Sequence, residues 1–421
     1  MPTIRLLLTL ALNRQWQLLQ LDVSNAFLHG DLLDDIYMRQ PPGFQNPQHP
    51  DFVCRLRKSL YGLKQAPRQW FLKLTGFLQD QGFRFSHSDP SLLILNKDNI
   101  HIYILIYVDG FLVTGNNEPA ITRLLKQLRS QFALKQLGDI SLFLGIQVLR
   151  TSNGYFLNQT HYASKLLNDA GYTDCKPAPT PTSSPSKQKT ADRTPFSDPT
   201  VYRRLAGSMQ YLTITRPDLA FATNIVCQHM QDPSNQDFKA LKRLLRYIKG
   251  TLSYGLPITT ENLELHSYTD ADWATDASDR KSISGFCTFI GPNLISWTVK
   301  KQVTVAKSST EAEYRSLSAA TSEVIWLRRL AAELNLPQEK PTIIHCDNTS
   351  AMAIAKNPVF HARTKHIEID YHFIREHIGS GAIQLTHLSS KEQIADILTK
   401  HLSPPRFNEL RSKLTIRSSN A

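Results

Sequence analysis

The sequence predicts an α/β (α+β) protein of two to three domains. The chain has 421 residues, against about 150 for an ordinary domain. Residues 1–150 alternate helical patterns with short runs rich in Ile, Leu, Val and Tyr. After Gly255 a strand-rich block (LELHSYTD, GFCTFI, LISWTV) leads into a long helical pattern, a further strand and more helix, as far as Leu402.

Composition narrows the class. Hydrophobic residues at 41% and charged residues at 20% match globular proteins and exclude an acidic disordered chain or a fibre. Lys+Arg 48 against Asp+Glu 36 leaves +12, the electrostatic footprint of a protein that sits on phosphate backbones. Five cysteines (Cys54, Cys175, Cys227, Cys287, Cys346) are scattered and never form C-x-x-C. That speaks against a disulfide scaffold or a cysteine zinc knuckle and for a reducing, intracellular setting. The apolar run at residues 6–12 follows Arg5 but meets Asn13, Arg14 and Gln15 without a small-residue cleavage site. An amphipathic helix is expected there, not a secretory signal. No stretch approaches the ~20 apolar residues of a membrane span, so a soluble protein with no membrane partner is expected.

Residues 175–200 carry Pro177, Pro179, Pro181 and Pro185 among Thr and Ser, the composition of a linker or long exposed loop. Beyond Tyr202 the pattern is helical and basic: KALKRLLRYIKG holds Lys239, Lys242, Arg243, Arg246 and Lys249. A solvated face and a nucleic-acid-facing one are both open.

Two carboxylate sets stand out. In the first, QLLQLDVSNAFLHG predicts a strand that delivers Asp22 at its end. IYILIYVDGFLV predicts a hairpin with Asp109-Gly110 at its turn. On neighbouring strands the two aspartates would hold Mg²⁺ ions that bridge a triphosphate and a primer hydroxyl. In the second, a strand ends at Thr269-Asp270, and Ser308 stands three residues before Glu311 as a capping box. Glu313 lies on the helix face of Leu317, Ala320, Val324, Leu327, Ala331 and Leu334. A glutamate facing the core needs something positive to meet it. IIHC is a buried strand with Asp347 at its exit, and Asp396 lies on a short helix at residues 391–399. Four carboxylates in this order suit two metal ions that activate water against a phosphodiester. Asp272 competes with Asp270, and Asp370 with Asp396. His361, His366, His372 and His377 lack a third ligand in one local array, so surface or substrate-facing roles are expected over zinc. Trp273, Trp297 and Trp326 are expected at the core or its edge.

Twelve ordered blocks (QLDVSNAFLHG, SLYGLKQAPRQW, IYVDG, FLGIQV, RLAGSMQYLTITRPDLAFA, LKRLLRYIKGT, YTDADWA, KSISGFC, AKSSTEAEYRSLS, CDNTSA, KHIEIDYHFIREH, QIADILTK) resemble the copia-type LTR-retrotransposon Pol polyprotein across its reverse transcriptase–ribonuclease H segment. The resemblance implies a truncated polymerase palm over residues 1–150 and a helical thumb/connection over 151–255. A ribonuclease H-like domain with a mixed sheet flanked by helices would span 260–402, with a tail at 403–421. It implies Asp22 and Asp109 as polymerase metal ligands and Phe27 as the side chain that blocks a ribonucleotide 2′-hydroxyl. Gly62, Lys64 and Gln65 would line the template and incoming base pair, and residues 143–145 would help hold the primer end. It also implies Asp270, Glu313, Asp347 and Asp396 as ribonuclease H ligands for two Mg²⁺ or Mn²⁺ ions, with His387 assisting product release. The expected partner is an RNA–DNA hybrid or another nucleic acid. On that resemblance two departures are expected to weaken the polymerase half: Gly110 stands where the family has its second hairpin aspartate, and the sequence is expected to start inside the palm, after the fingers. Ribonuclease H activity with doubtful DNA synthesis is the leading expectation; a non-catalytic nucleic-acid-binding relic is the alternative.

Overall fold

A computed structural model describes residues 1–183, 194–276, 279–357 and 368–419. Two compact units divide the chain: Arg14–Phe143, and Met1–Asn13 together with Leu144–Ala421. The expected palm boundary at 150 thus falls a few residues earlier, and the first thirteen residues join the other unit.

Arg14–Phe143 is built on a six-stranded antiparallel sheet. Its order is Arg84–Phe85, Leu92–Lys97, Ile100–Tyr107, Gly110–Gly115, Leu18–Val23, Leu134–Asp139. Leu19, Leu21 and Val23 alternate along one strand and Ile102, Ile104 and Ile106 along another, the period-two pattern of a covered sheet face. Leu74 and Leu78 of the helix Ala66–Asp80, with Ile121 and Leu125 of Glu118–Gln131, complete that core.

The hairpin forms where expected, but its turn lies one residue earlier. Tyr107 pairs with Gly110, so Val108 and Asp109 make the turn. Val108 takes φ +55°, a costly conformation for a β-branched residue. The Trp70 indole N–H donates to the Val108 carbonyl at 2.7 Å and helps hold it there. Gly110 is not the turn residue; it opens the returning strand.

In the second unit the strands Ile146–Thr151, Gly154–Asn158, Tyr254–Thr259 and Arg417–Ser418 pair antiparallel in that order. The basic region forms helices Pro199–Leu212, Ala220–Gln228 and Asn235–Gly250. Part of the proline-rich segment is packed against the last of these. The Arg243 guanidinium donates to the Thr180 carbonyl and hydroxyl at 3.1 and 2.8 Å, and Arg246 to the Lys176 carbonyl at 2.7 Å. Ala178 and Thr180 are buried. Two of the five basic side chains therefore serve backbone carbonyls, and Lys242 lies over the Phe238 ring. Pro185 lies outside the described residues.

The expected tail is structured. Helix Pro404–Lys413 buries Phe407 and Leu410, and Leu414 and Ile416 follow them into the core. The first helix, Pro2–Asn13, departs from amphipathicity, being buried on every side from Thr3 to Leu12. Its Arg5 donates to the Ile295 and Ile214 carbonyls at 2.6 Å each and lies 3.9 Å over the Trp297 ring. Those acceptors and that ring face meet the requirement for burying a cation.

The sheet that carries the second carboxylate set has the order Asn293–Lys301, Ile283–Ile290, Leu265–Asp272, Thr342–Cys346, Ile383–His387. The first three strands are antiparallel and the last two join in parallel. This is the mixed ribonuclease H-like sheet that the resemblance implies. Helix Ser309–Glu333 packs on it through the expected stripe, from Glu313 and Leu317 to Ala331. Ser308 caps the helix by accepting the Glu311 N–H at 3.2 Å. The reciprocal half of the box shifts: the Glu311 carboxylate takes the Lys307 N–H at 2.9 Å and pairs with Arg315. The closing helix is a short 3₁₀ turn, Ile394–Leu398. Among the described residues no helix is long and apolar enough to cross a membrane.

Gly285 decides how close that turn can come. It pairs with Asp270, and a Cβ there would lie 2.7 Å from Thr399 Cγ2 and 2.8 Å from Leu398 Cβ. Gly285→Ala is expected to destabilise the chain by about 1–3 kcal/mol through overpacking, measured as a lower Cm in urea at unchanged m-value; an unchanged Cm would show that the closing turn is free to retreat.

Candidate functional site

The site grows from the end of strand Leu265–Asp272. The Ser316 hydroxyl donates to the Asp270 carbonyl at 2.8 Å and accepts from the Thr269 hydroxyl at 2.9 Å. These bonds pin the long helix against the strand one turn beyond Glu313. From the other side, Gln393 donates its side-chain amide to the Thr269 carbonyl at 2.9 Å and accepts the Ala395 N–H. That places Asp396 and its neighbours over Asp270.

Asp270 is fully buried, and Glu313 and Asp396 nearly so. The Thr399 hydroxyl donates to Asp270 Oδ2. Lys400 Nζ reaches Asp270 Oδ1 at 3.0 Å and Asp396 Oδ1 at 2.6 Å. Arg406 approaches Asp396 Oδ2 at 3.5 Å. Asp347, half-buried at the exit of Thr342–Cys346, accepts the Ser390 hydroxyl at 2.7 Å. Ligand atoms of Glu313, Cys346 and Asp347 lie within 4.8 Å of one another.

Burial and mutual repulsion drive the electrostatics. The Asp270, Glu313 and Asp396 carboxyls all sit above the usual carboxylate range, desolvation being the largest cause. Asp270 and Asp347 push Glu313 further up, and Asp270 does the same to Asp396. Lys400 opposes the shift at Asp270 and Asp396, while the two aspartates hold its ammonium above the ordinary lysine range despite its burial. Among the described residues Glu313 Oε2 is buried with no hydrogen-bond partner. Lys400, with Arg406 at the rim beside Asp396, cannot neutralise four carboxylates, and an orphaned buried carboxylate oxygen wants a cation. The oxygen-rich donor set suits Mg²⁺ or Mn²⁺.

The competing aspartates stand elsewhere. Asp370 accepts the Ser318 hydroxyl from helix Glu368–Gly379, and Asp272 pairs with Ile283 two residues beyond Asp270. His387 ends its strand exposed, in register with Cys346. His361 and His366 lie outside the described residues; His377 packs edge-on against Phe373. Trp273 departs from the core expectation at 46% exposed, held by its N–H to the Ala306 carbonyl at 2.9 Å.

In the other unit Asp22 and the hairpin are neighbours. Asp22 pairs with Gly110, and the Val23 N–H donates to the Asp109 carbonyl at 3.0 Å. Asp22 is half-buried and Asp109 exposed at the turn. Phe27 packs against Tyr61 with ring centroids 4.9 Å apart. This sets it beside the turn that holds Gly62 at φ +95°, with Lys64 exposed and Gln65 just before the helix Ala66–Asp80.

With both sites described, sequence relatives decide the family. Residues 1–184 match the family described as "Reverse transcriptase (RNA-dependent DNA polymerase)". The Retrovirus-related Pol polyprotein from transposon RE2 of Arabidopsis thaliana is 45% identical over 98% of this chain. The putative transposon Ty5-1 protein of Saccharomyces cerevisiae is 30% identical over 72% of this chain and the whole of its own length. The chain belongs to the copia-type retrotransposon Pol family. This Pol-family chain spans 28% of the Arabidopsis polyprotein's length. A crystal structure of LC11-RNase H1 with an RNA/DNA hybrid aligns at 12% identity and a TM-score of 0.25, over 32% of this chain and 94% of its own; the fold assignment rests on strand order instead.

Sequence reasoning about this Pol-family chain missed Lys400, Thr399, Ser390 and Cys346 as members of the site. A signal existed for Lys400: it stands four residues after Asp396, one helical turn on. Cys346 adjoins Asp347, and strand alternation hid that its thiol reaches the same corner.

Two expectations follow for solution behaviour. An unfolded Glu313 loses its proton near the ordinary value of about 4.3, whereas the folded one keeps it to higher pH. The folded state therefore binds more protons in that window, and stability falls as pH rises through it. In chelator, urea stability is expected to drop from about pH 5 to about pH 8, by up to ~1.4 kcal/mol per pH unit per retained proton. Glu313→Gln should flatten the slope; a slope unaltered in that variant would place the titration elsewhere. At Gly110 the negative φ and a nearest Cβ contact of 3.6 Å, to Phe143 Cε2, leave room for a side chain. Gly110→Asp should keep stability within about 0.5 kcal/mol, and a larger loss by thermal melt would mean that glycine is needed for the fold itself.

Proposed function

We propose that the C-terminal part of this chain hydrolyses the RNA strand of RNA–DNA hybrids, with Asp270, Glu313, Asp347 and Asp396 as the carboxylates that hold two Mg²⁺ or Mn²⁺ ions. The observation that carries the reading is the convergence of these four side chains around a buried corner where, among the described residues, Glu313 Oε2 has no hydrogen-bond partner. Bound divalent ions there would activate a water and stabilise the leaving 3′-oxygen. The protein's own groups do the rest. Thr399 and Lys400 orient Asp270, Ser390 orients Asp347, and Lys400 offsets part of the charge that would otherwise drive the carboxylates apart. Groove shape and 2′-hydroxyl contacts would select the hybrid, and the net charge of +12 supports a phosphate-bearing partner.

For the polymerase half the reading is a site with reduced charge. Asp22 lies on the strand beside the hairpin turn that carries Asp109, but Gly110 brings no carboxylate to help balance divalent cations. The test uses the full chain, a labelled RNA–DNA hybrid and Mg²⁺ or Mn²⁺, beside Asp347→Asn. Cleavage lowered at least ~100-fold in the variant is expected; identical silence from both proteins would favour a non-catalytic nucleic-acid-binding relic.

A further inference from the structure

Cys346 is a feature of this corner that the nuclease reading does not use. Mg²⁺ chemistry wants oxygen donors, and a thiol contributes nothing to it. Cys346 shares a core cluster with Tyr314, Leu317 and Ile344, so packing accounts for its burial. Packing does not account for its neighbours. Its Sγ lies within 4.8 Å of carboxylate oxygens from both Glu313 and Asp347, and its own polar contact is a long one, 3.9 Å to the Asn348 carbonyl. Glu313 is 6% exposed, and its Oε2 has no hydrogen-bond partner among the described residues. Lys400 makes its ion pairs with Asp270 and Asp396.

We propose that Cys346 Sγ, one oxygen of Glu313 and one oxygen of Asp347 form a binding site for a thiophilic divalent cation such as Zn²⁺ or Cd²⁺. Three protein ligands with a fourth position open is a recognised zinc arrangement, with metal–ligand distances of about 2.0–2.3 Å. Donors within 4.8 Å of one another reach it with small side-chain rotations. A thiolate among carboxylates shifts preference from Mg²⁺ toward softer ions. On binding, the S–H bond breaks, its proton leaves to solvent, and the sulfur's electron pair forms the bond to the metal. The site shares Glu313 and Asp347 with the proposed nuclease and, on that reading, a zinc ion held there withdraws both from cleavage chemistry.

The test titrates Cd²⁺ alone into the full chain without nucleic acid and follows the ultraviolet thiolate-to-cadmium absorption. A band that saturates at a single ion per chain is expected, with Zn²⁺ competing and Mg²⁺ failing to compete. Cys346→Ser should weaken binding roughly 100-fold or abolish the band, whereas Cys287→Ser keeps it. A band unaltered in Cys346→Ser, or no band in the parent, overturns the proposal. If Cys346→Ser lacks a cooperative melt, Glu313→Gln decides, because unchanged Cd²⁺ affinity in that variant is also contrary to the proposal. Hybrid cleavage in Mg²⁺ without a cadmium band leaves the nuclease and removes the thiol site; a band without cleavage does the reverse.

Discussion

Carboxylates repel one another, and burial makes the repulsion stronger because little water remains to screen it. The corner at Asp270 gathers such groups from a strand, a helix start, a second strand exit and a closing turn. Such a cluster persists only if the surrounding fold holds it and some positive charge answers it. Lys400 gives part of that answer, bridging Asp270 and Asp396. The rest comes from packing: Gly285 lets the closing turn lie against the sheet, and the hydroxyls and amide of Ser316, Thr399 and Gln393 tie turn, strand and helix together.

The palm-like unit shows a different kind of stored cost. Val108 is held at φ +55° at the hairpin tip, with its carbonyl fixed by Trp70. That conformation lifts Asp109 into solvent beside the strand that carries Asp22. Strain of this sort persists where surrounding structure over-determines it. Gly110 follows the tip, opens the returning strand and brings no charge of its own.

Basic residues illustrate how far charge counts can mislead. Arg5, Arg243 and Arg246 all contribute to the +12 balance, yet each spends its guanidinium on backbone carbonyls. Arg216 is buried with Asp218 in a bidentate pair at 2.9 and 2.8 Å, itself joined to Tyr247. A planar fork of donors suits acceptors that a folded chain leaves unpaired, so these arginines are drawn inward.

The sequence by itself determined the kind of fold and the order of its acidic residues. Strand alternation, the helical stripe from Glu313 to Ala331 and the ordered motif blocks are local patterns, and locality survives in a linear chain. It also located Asp22 on a strand and Asp109 at a hairpin turn, and it assigned Asp270 and Asp347 to strand ends and Glu313 and Asp396 to helices. Tertiary structure alone decided which groups meet. Lys400 against Asp270, Cys346 against Glu313, the burial of Pro2–Asn13 and the packing of the last helix all join positions distant in sequence or hidden by strand alternation. The shift of the hairpin turn to Val108 belongs there too, because strand register and the Trp70 contact outweighed the local preference of Asp-Gly.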